Sequence, residues 1–333
     1  MPSIGSATGR STDDHRVPAG RPAFYFIGVS TGSSSIRRVF PAWARHLGLD
    51  ATLAGIDLAL DDEPANYRAV VAGIKDDPHS LGALVTTHKL NLYRAAADLF
   101  DEVGPDTGTL GEVSSISKRD GGRTLYGDAK DPITCALALD AVVEDGYWNR
   151  TGAELLLLGA GGSSLALTLA LHRRAQAGAE VPGRIVVSNR RAGRLAEMRQ
   201  IHERIGFSIP IEYHLAPAPA DNDALVADRP AGSVIANATG LGKDRPGSPL
   251  TDAVRFPAAA RAWDFNYRGD LVFLDQARAQ ADRAVLAVDG WFYFLHGWTR
   301  VIAEVFAVPI PTAGPEFDEL SRLALEATAA PAV

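Results

Sequence analysis

The chain has 333 residues, a formal net charge of -7 and one cysteine, Cys135. This length accommodates two domains with a substantial core, the acidic balance gives no general attraction to nucleic acid or an anionic membrane, and a lone cysteine excludes a disulfide framework or a thiolate metal cluster. No apolar run approaches the roughly 20 residues that a spanning helix needs, and the eight histidines form no spaced metal-ligand set.

Residues 1–20 are polar, lack the apolar core of a secretion signal and read as a loose tail, as expected of a cytoplasmic protein. Residues 24–29 predict a strand, followed by Ser30-Thr31-Gly32-Ser33-Ser34-Ser35, a hydroxyl-rich loop suited to a small anion or polyol and equally to a surface turn. Phe40, Trp43, Ala44 and Leu47 recur at helical spacing and belong to a core. A strand over 53–60, a helix over 64–74 and a strand over 82–85 continue a βαβα alternation, which predicts a parallel sheet with helices on its faces.

The third strand ends in Thr86-Thr87-His88-Lys89. Only five of the 33 basic residues are lysines, and one of them stands at this strand end. An ammonium has a transferable proton and a movable pKa, whereas a guanidinium stays charged, so Lys89 is the first candidate for chemistry. His88 reads as a supporting or merely local residue. Ser114 and Ser115, within the stretch 111–116, are candidates for the same surface as Thr86. Beyond a polar turn over 118–123, Asp128 and Asp131 are candidate partners for Lys89 in proton transfer. Pro132 suits a first helical turn, which puts Asp131 at a helix start, as an N-cap or as a catalytic carboxylate.

A second domain opens near Gly152. Leu155 to Leu158 form a continuous apolar run, ended by Gly159-Ala160-Gly161-Gly162-Ser163 and followed by a helical pattern through His172. A buried strand turning abruptly into a helix is a phosphate-binding unit: glycines allow close backbone approach, and the helix N-terminus offers N–H groups to a pyrophosphate. The next strand, 185–187, leads into Ser188-Asn189-Arg190-Arg191 and then Arg194, with no acid before Glu197. Guanidinium forks suit a ribose 2′-phosphate, where an acid would mark the unphosphorylated cofactor, so the pattern indicates NADP. The plain alternative is a solvated arginine cluster. A helix over 195–205 and strands over 208–213 and 233–236 follow. Asn237-Ala238-Thr239-Gly240-Leu241-Gly242 would then pass the nicotinamide side of a dinucleotide. A further strand covers 263–267. An aromatic helix from 289 to about 306 carries His296, chiefly a buried polar residue, and the small-residue stretch 323–333 is expected to fray.

With these residues in hand, the chain resembles the shikimate dehydrogenase family over roughly residues 24–306. The family's Val-Thr followed by lysine resembles Val85-Thr86-Thr87-His88-Lys89, its Gly-x-Asn-Thr-Asp resembles Gly127-Asp128-Ala129-Lys130-Asp131, and its Asn-Arg and Asn-Ala-Thr strand ends match Asn189-Arg190 and Asn237-Ala238-Thr239. The resemblance implies an α/β fold: an N-terminal α/β catalytic domain (21–149), a doubly wound Rossmann-like NADP-binding domain (150–285) and a C-terminal helical segment (286–333) packing back on the first. It implies Lys89 and Asp131 as the catalytic pair. The implied substrate contacts are Ser34, Thr86, Ser114, Ser115 and His296. The implied cofactor contacts are Gly159, Gly161, Gly162, Ser163, Asn189, Arg190, Arg191, Arg194, Asn237, Thr239 and Gly242. The substrate shell departs from the family: its Asn-Thr pairs are Ser114-Ser115 and Ala129-Lys130 here, a gap-free match to its two loop serines gives Ser34 and Ile36, and the expected glutamine falls near His296 or Gly297. The expectation is an NADP-dependent dehydrogenase acting on a hydroxylated six-membered-ring acid, as a monomer or homodimer. The rival is a catalytically silent dinucleotide sensor.

Overall fold

The computed structural model describes residues 20–243 and 245–329, so the tail expected before residue 20 lies outside the described residues. The N-terminal elements are β1 (Ala23–Gly28), α1 (Ile36–Leu47), β2 (Thr52–Asp57), α2 (Pro64–Asp76), β3 (Ser80–Val85), α3 (Lys89–Ala96), β4 (Glu102–Val103), α4 (Pro105–Leu110), β5 (Ser115–Arg119) and β6 (Thr124–Asp128). The middle of the chain adds α5 (Asp131–Asp140), α6 (Tyr147–Thr151), β7 (Leu155–Leu158), α7 (Gly162–Gln176), β8 (Ile185–Asn189), α8 (Ala192–Arg204), β9 (Ile211–Leu215) and α9 (Pro219–Ala227). The remainder is β10 (Val234–Asn237), β11 (Arg261–Asp264), α10 (Val272–Arg278), β12 (Leu286–Val288), α11 (Trp291–Val305) and α12 (Pro315–Ala329).

Two compact units result. Among the described residues, the first takes in 20–104, 111–128 and 301–329; the second takes in 105–110 and 129–300. The division falls at Asp128 and Ala129, before the expected position near 150, because α5 packs along α7 and so joins the second unit.

The first unit is built on a six-stranded sheet ordered β2-β1-β3-β5-β6-β4. Strands β2, β1 and β3 are parallel, as the βαβα pattern predicts, but β5 runs antiparallel to both β3 and β6. The turn Asp120-Gly121-Gly122, where all three residues take positive φ, closes the β5–β6 hairpin, which the alternation alone does not reveal. Gly82 makes the β3–β5 pairing possible, since a Cβ there would sit 2.1 Å from the Ile116 carbonyl oxygen. On one face Phe24 and Phe40 pack with Phe306, and α1 lies on α12 with the buried Trp43 Nε1–H donating to Leu320 O at 2.7 Å. Buried Phe317, Leu320 and Ala324 hold α12 helical through Ala329, in place of the fraying expected from 323.

The second unit is a fully parallel six-stranded sheet, β12-β11-β10-β7-β8-β9. In chain order from β9 this is 3-2-1-4-5-6, the doubly wound dinucleotide order. Leu155 and Leu157 enter one core and Leu156 and Leu158 the other, so both faces of β7 are covered and the strand reads as an unbroken apolar run. Strand β9 begins at Ile211, later than the expected 208, because Pro210 has no N–H to donate to the ladder.

Candidate active site

In the first unit the antiparallel course of β5 decides where the serines lie. Because β5 starts where β3 ends, Val85 N–H donates to Ser114 O at 2.9 Å and Ser114 N–H to Asp128 O at 2.9 Å, while Ser115 pairs with Leu84 and Asp128. Lys89 opens α3, and its carbonyl accepts from Val113 N–H at 3.3 Å. Lys89, Thr86, Ser114 and Ser115 therefore gather along one rim, the last two buried in it. The Thr86 hydroxyl donates to Ile27 O at 3.1 Å. His88 is buried, with Nδ1 3.1 Å from the Tyr67 hydroxyl. That hydroxyl also accepts from Asp62 N–H at 3.2 Å. His88 thus braces the loop ahead of Lys89, a local role.

Thr31, of the hydroxyl-rich loop, and Arg37, which the sequence did not single out, also belong to this rim. Thr31 is fully buried, and its Oγ1 has no hydrogen-bond partner among the described residues; the same holds for Nη1 of Arg37, at the start of α1. A Cβ on Gly55 would lie 2.1 Å from Thr31 Oγ1 and 3.4 Å from Arg37 Nη1, and one on Gly28 would lie 3.0 Å from Thr86 Oγ1 and 3.3 Å from Thr31 Cγ2. Thr86, Thr31 and Arg37 therefore line up across the ends of β3, β1 and β2. Ser34 caps the short turn beside them, half-buried. A buried guanidinium N–H without a partner costs about 1–3 kcal/mol, an arrangement relieved by an incoming acceptor.

The second unit holds the glycine turn. Gly159 has φ +108, and a Cβ there would meet Ala238 O at 2.9 Å, so the turn and the β10 exit touch only because residue 159 is glycine. Gly161 is the N-cap of α7, and a Cβ there would have nothing within 4 Å, leaving open space above the helix N-terminus. Ser164 Oγ ties the turn by donating to Gly159 O at 2.6 Å. At the end of β8, Asn189 Oδ1 accepts from Arg191 N–H at 3.3 Å, and Arg190 and Arg191 are exposed. Arg194 is exposed too, paired to Glu197 at 2.9 Å.

Asp131 begins α5, buried, with Lys130 in the N-cap position and no side-chain cap bond. Helices α5, α7 and α11 meet at Ser163, whose Oγ lies 3.4 Å from the Tyr293 hydroxyl and whose carbonyl oxygen lies 3.7 Å from Cys135 Sγ. A Cβ on Gly297 would touch Thr134 Cγ2 at 3.8 Å. His296 is buried, and burial with the nearby Arg300 charge holds its pKa down at about 4, so the imidazole is neutral at pH 7. Lys89 and Asp131 belong to different compact units.

One expected cofactor contact is placed otherwise. Asn237 is wholly buried and its amide is fully engaged: Nδ2 donates to Asp264 Oδ2 at 3.0 Å and to Leu241 O at 3.3 Å, and Oδ1 accepts from Thr239 N–H and Oγ1–H. Its side chain works inside the protein, and the exposed Thr239 is what this loop offers outward. Gly242 is buried as well, donating its N–H to Arg245 O at 2.7 Å. Asp264, which the sequence argument passed over, is fully buried, and desolvation raises its pKa to about 6.

Fold and site together define a two-unit α/β protein whose second unit has the dinucleotide-binding sheet. No family model matches the chain. It is 32% identical over 276 residues to a shikimate dehydrogenase (NADP(+)) of Anaeromyxobacter sp. (strain Fw109-5), the match covering 81% of this chain and 86% of that one. The fold is similar to that of a shikimate dehydrogenase from Aquifex aeolicus, with a TM-score of 0.70, 18% identity and coverage of 93% of this chain and 99% of that one. It is also similar to a 5-ketofructose reductase of Gluconobacter sp. strain CHM43, with a TM-score of 0.65, 17% identity and coverage of 93% and 99%. The chain belongs to the shikimate dehydrogenase family.

Proposed function

We propose that this protein is an NADP(H)-dependent dehydrogenase that interconverts a secondary alcohol and a ketone on a hydroxylated six-membered-ring acid. The observation that carries the reading is the occurrence, in one chain of this family, of a glycine turn with an arginine-bearing strand end and of Lys89 and Asp131 at helix starts. NADP(H) fits the second unit on its own geometry: open space above the α7 N-terminus receives the pyrophosphate, and exposed Arg190 and Arg191 suit a ribose 2′-phosphate. When bound, the cofactor supplies the hydride acceptor or donor.

The protein's own groups handle charge and the proton. Lys89, as the ammonium, stabilises alkoxide charge developing on the substrate oxygen, and Asp131 takes the hydroxyl proton during oxidation and returns it during reduction. Neutral His296 serves as a hydrogen-bonding group for a hydroxylated ring without adding a charge. Support for an acid comes from Arg37 Nη1 and Thr31 Oγ1, buried polar atoms without a hydrogen-bond partner among the described residues.

The test is absorbance at 340 nm with NADP⁺ and a panel of shikimate, quinate and aminated analogues. NADPH formation with one of them is expected. Lys89→Ala should lower turnover by about 10²–10⁴-fold with cofactor affinity little changed. Silence across the panel while NADPH binds tightly, or an undiminished Lys89→Ala enzyme, would overturn the assignment.

A further inference from the structure

The loop after β10 is held by a network of hydrogen bonds anchored on one buried carboxylate. Leu241 N–H donates to Thr239 Oγ1 at 3.2 Å, and that hydroxyl donates to Asn237 Oδ1 at 2.7 Å. Thr239 N–H donates to the same oxygen at 3.2 Å, and Asn237 Nδ2 donates to Asp264 Oδ2 at 3.0 Å. The other carboxylate oxygen accepts Asn266 N–H at 2.8 Å, and Asn266 Nδ2 donates to Leu241 O at 3.0 Å. Leu241 is therefore fixed at both its N–H and its carbonyl. Each donor and acceptor has only one consistent assignment, since Thr239 Oγ1 accepts from Leu241 and must give its proton to Asn237. That forces the Asn237 amide to present N–H to position 264, where only an acceptor is satisfied.

We propose that Asp264 is a positioning residue for the nicotinamide half of NADP(H): acting through Asn237, it fixes Thr239 to Leu241 in the conformation that meets the cofactor. The proposal rests on the NADP(H) reading above. A side chain that only packed the β10–β11 core would not need to be an acid, and a buried carboxylate is a costly way to fill the space of an apolar residue. The price is met here by two bonds to the carboxylate, from Asn237 Nδ2 and Asn266 N–H, which anchor the remaining bonds of the loop. The raised pKa of Asp264 fits a carboxyl that is retained despite burial, with the Asp289 carboxylate adding to the rise.

The experiment measures equilibrium binding of NADP⁺ and of 2′,5′-ADP, which lacks the nicotinamide half, to the full chain and three variants. In Asp264→Asn one acceptor oxygen becomes an NH2 group, so either Asn237 Nδ2 or Asn266 N–H is left facing a donor. NADP⁺ binding should weaken about tenfold while 2′,5′-ADP binding stays within about twofold. Thr239→Val, at an exposed position that does not endanger folding, should show the same selective loss on a smaller scale. Asn237→Asp combined with Asp264→Asn reverses donor and acceptor across the pair and, because it also removes the Asn237 Nδ2 bond to Leu241 O, should recover part of the NADP⁺ affinity. Equal weakening of both ligands, or no selective loss in either single variant, overturns the positioning role alone. Failure of the wild-type chain to bind either ligand overturns the cofactor reading and the positioning role with it.

Discussion

Burial of Asp264 has a consequence for stability that can be read with pH. An acid whose pKa is about 3.8 in the unfolded chain and about 6 when folded binds its proton more tightly in the folded state. Its folding penalty is absent below about pH 4, grows between pH 4 and 6, and is fully developed above that. A shift of this size corresponds to about 3 kcal/mol at pH 7, of which about 1.5 kcal/mol remains at pH 5. Other carboxylates titrate in the same window, so the comparison is between the wild-type chain and Asp264→Asn, which has no charge at that position at any pH. Urea unfolding followed by circular dichroism at pH 7 and pH 5 gives the two stabilities. The wild-type chain should gain about 1.5 kcal/mol on the variant as pH falls from 7 to 5. Parallel pH dependences, with a constant difference between the two proteins, would refute the argument that a buried charged carboxylate is maintained at neutral pH.

Three further outcomes are expected. Arg190→Ala should weaken NADPH binding about tenfold or more while leaving NADH binding little changed, because a guanidinium contact to phosphate is a charge-assisted bond that the unphosphorylated ribose does not make; titration with both cofactors by fluorescence checks this. Arg37→Gln should raise KM about tenfold for an acidic substrate, with kcat and the KM of the corresponding carboxamide nearly unchanged, as steady-state kinetics will show. Trp43→Ala should destabilise the first unit by about 3–5 kcal/mol, since it empties a fully buried site and removes the Nε1–H bond to Leu320 O, and thermal unfolding measures it.

What the sequence made legible follows from range. The β7 run from Leu155 to Leu158 announced a strand covered on both faces, and the glycines after it announced a turn, because both signals are local. The resemblance implied a doubly wound domain there, and the order 3-2-1-4-5-6 is what the structure adds. The antiparallel β5 did not follow from the alternation, although Asp120-Gly121-Gly122 carries a hairpin signal in its composition. Lys89 stood out through lysine scarcity, a property of the whole chain. Asp264 and Arg37 were silent in the sequence and Thr31 was only one hydroxyl of a serine-rich loop, because what singles them out is burial beside groups 18 to 27 residues away in the chain: Asp264 gains its meaning from Asn237, and Thr31 and Arg37 from Gly55. Asn237 was placed on the cofactor by its position at a strand end, and only its engaged amide shows that it faces inward.

The first unit is discontinuous in sequence, and that governs the order in which the chain is able to fold during synthesis. Residues 129–300 of the second unit leave the ribosome as one segment and can bury their parallel sheet at once, whereas α1, with Phe40 and Trp43, waits for Phe306 and Leu320 to emerge. Until then the aromatic face of the nascent N-terminal sheet is uncovered, a surface for chaperones or for other nascent chains. A ribosome stalled near codon 300 would release a protein with a complete second unit and an N-terminal sheet lacking its cover.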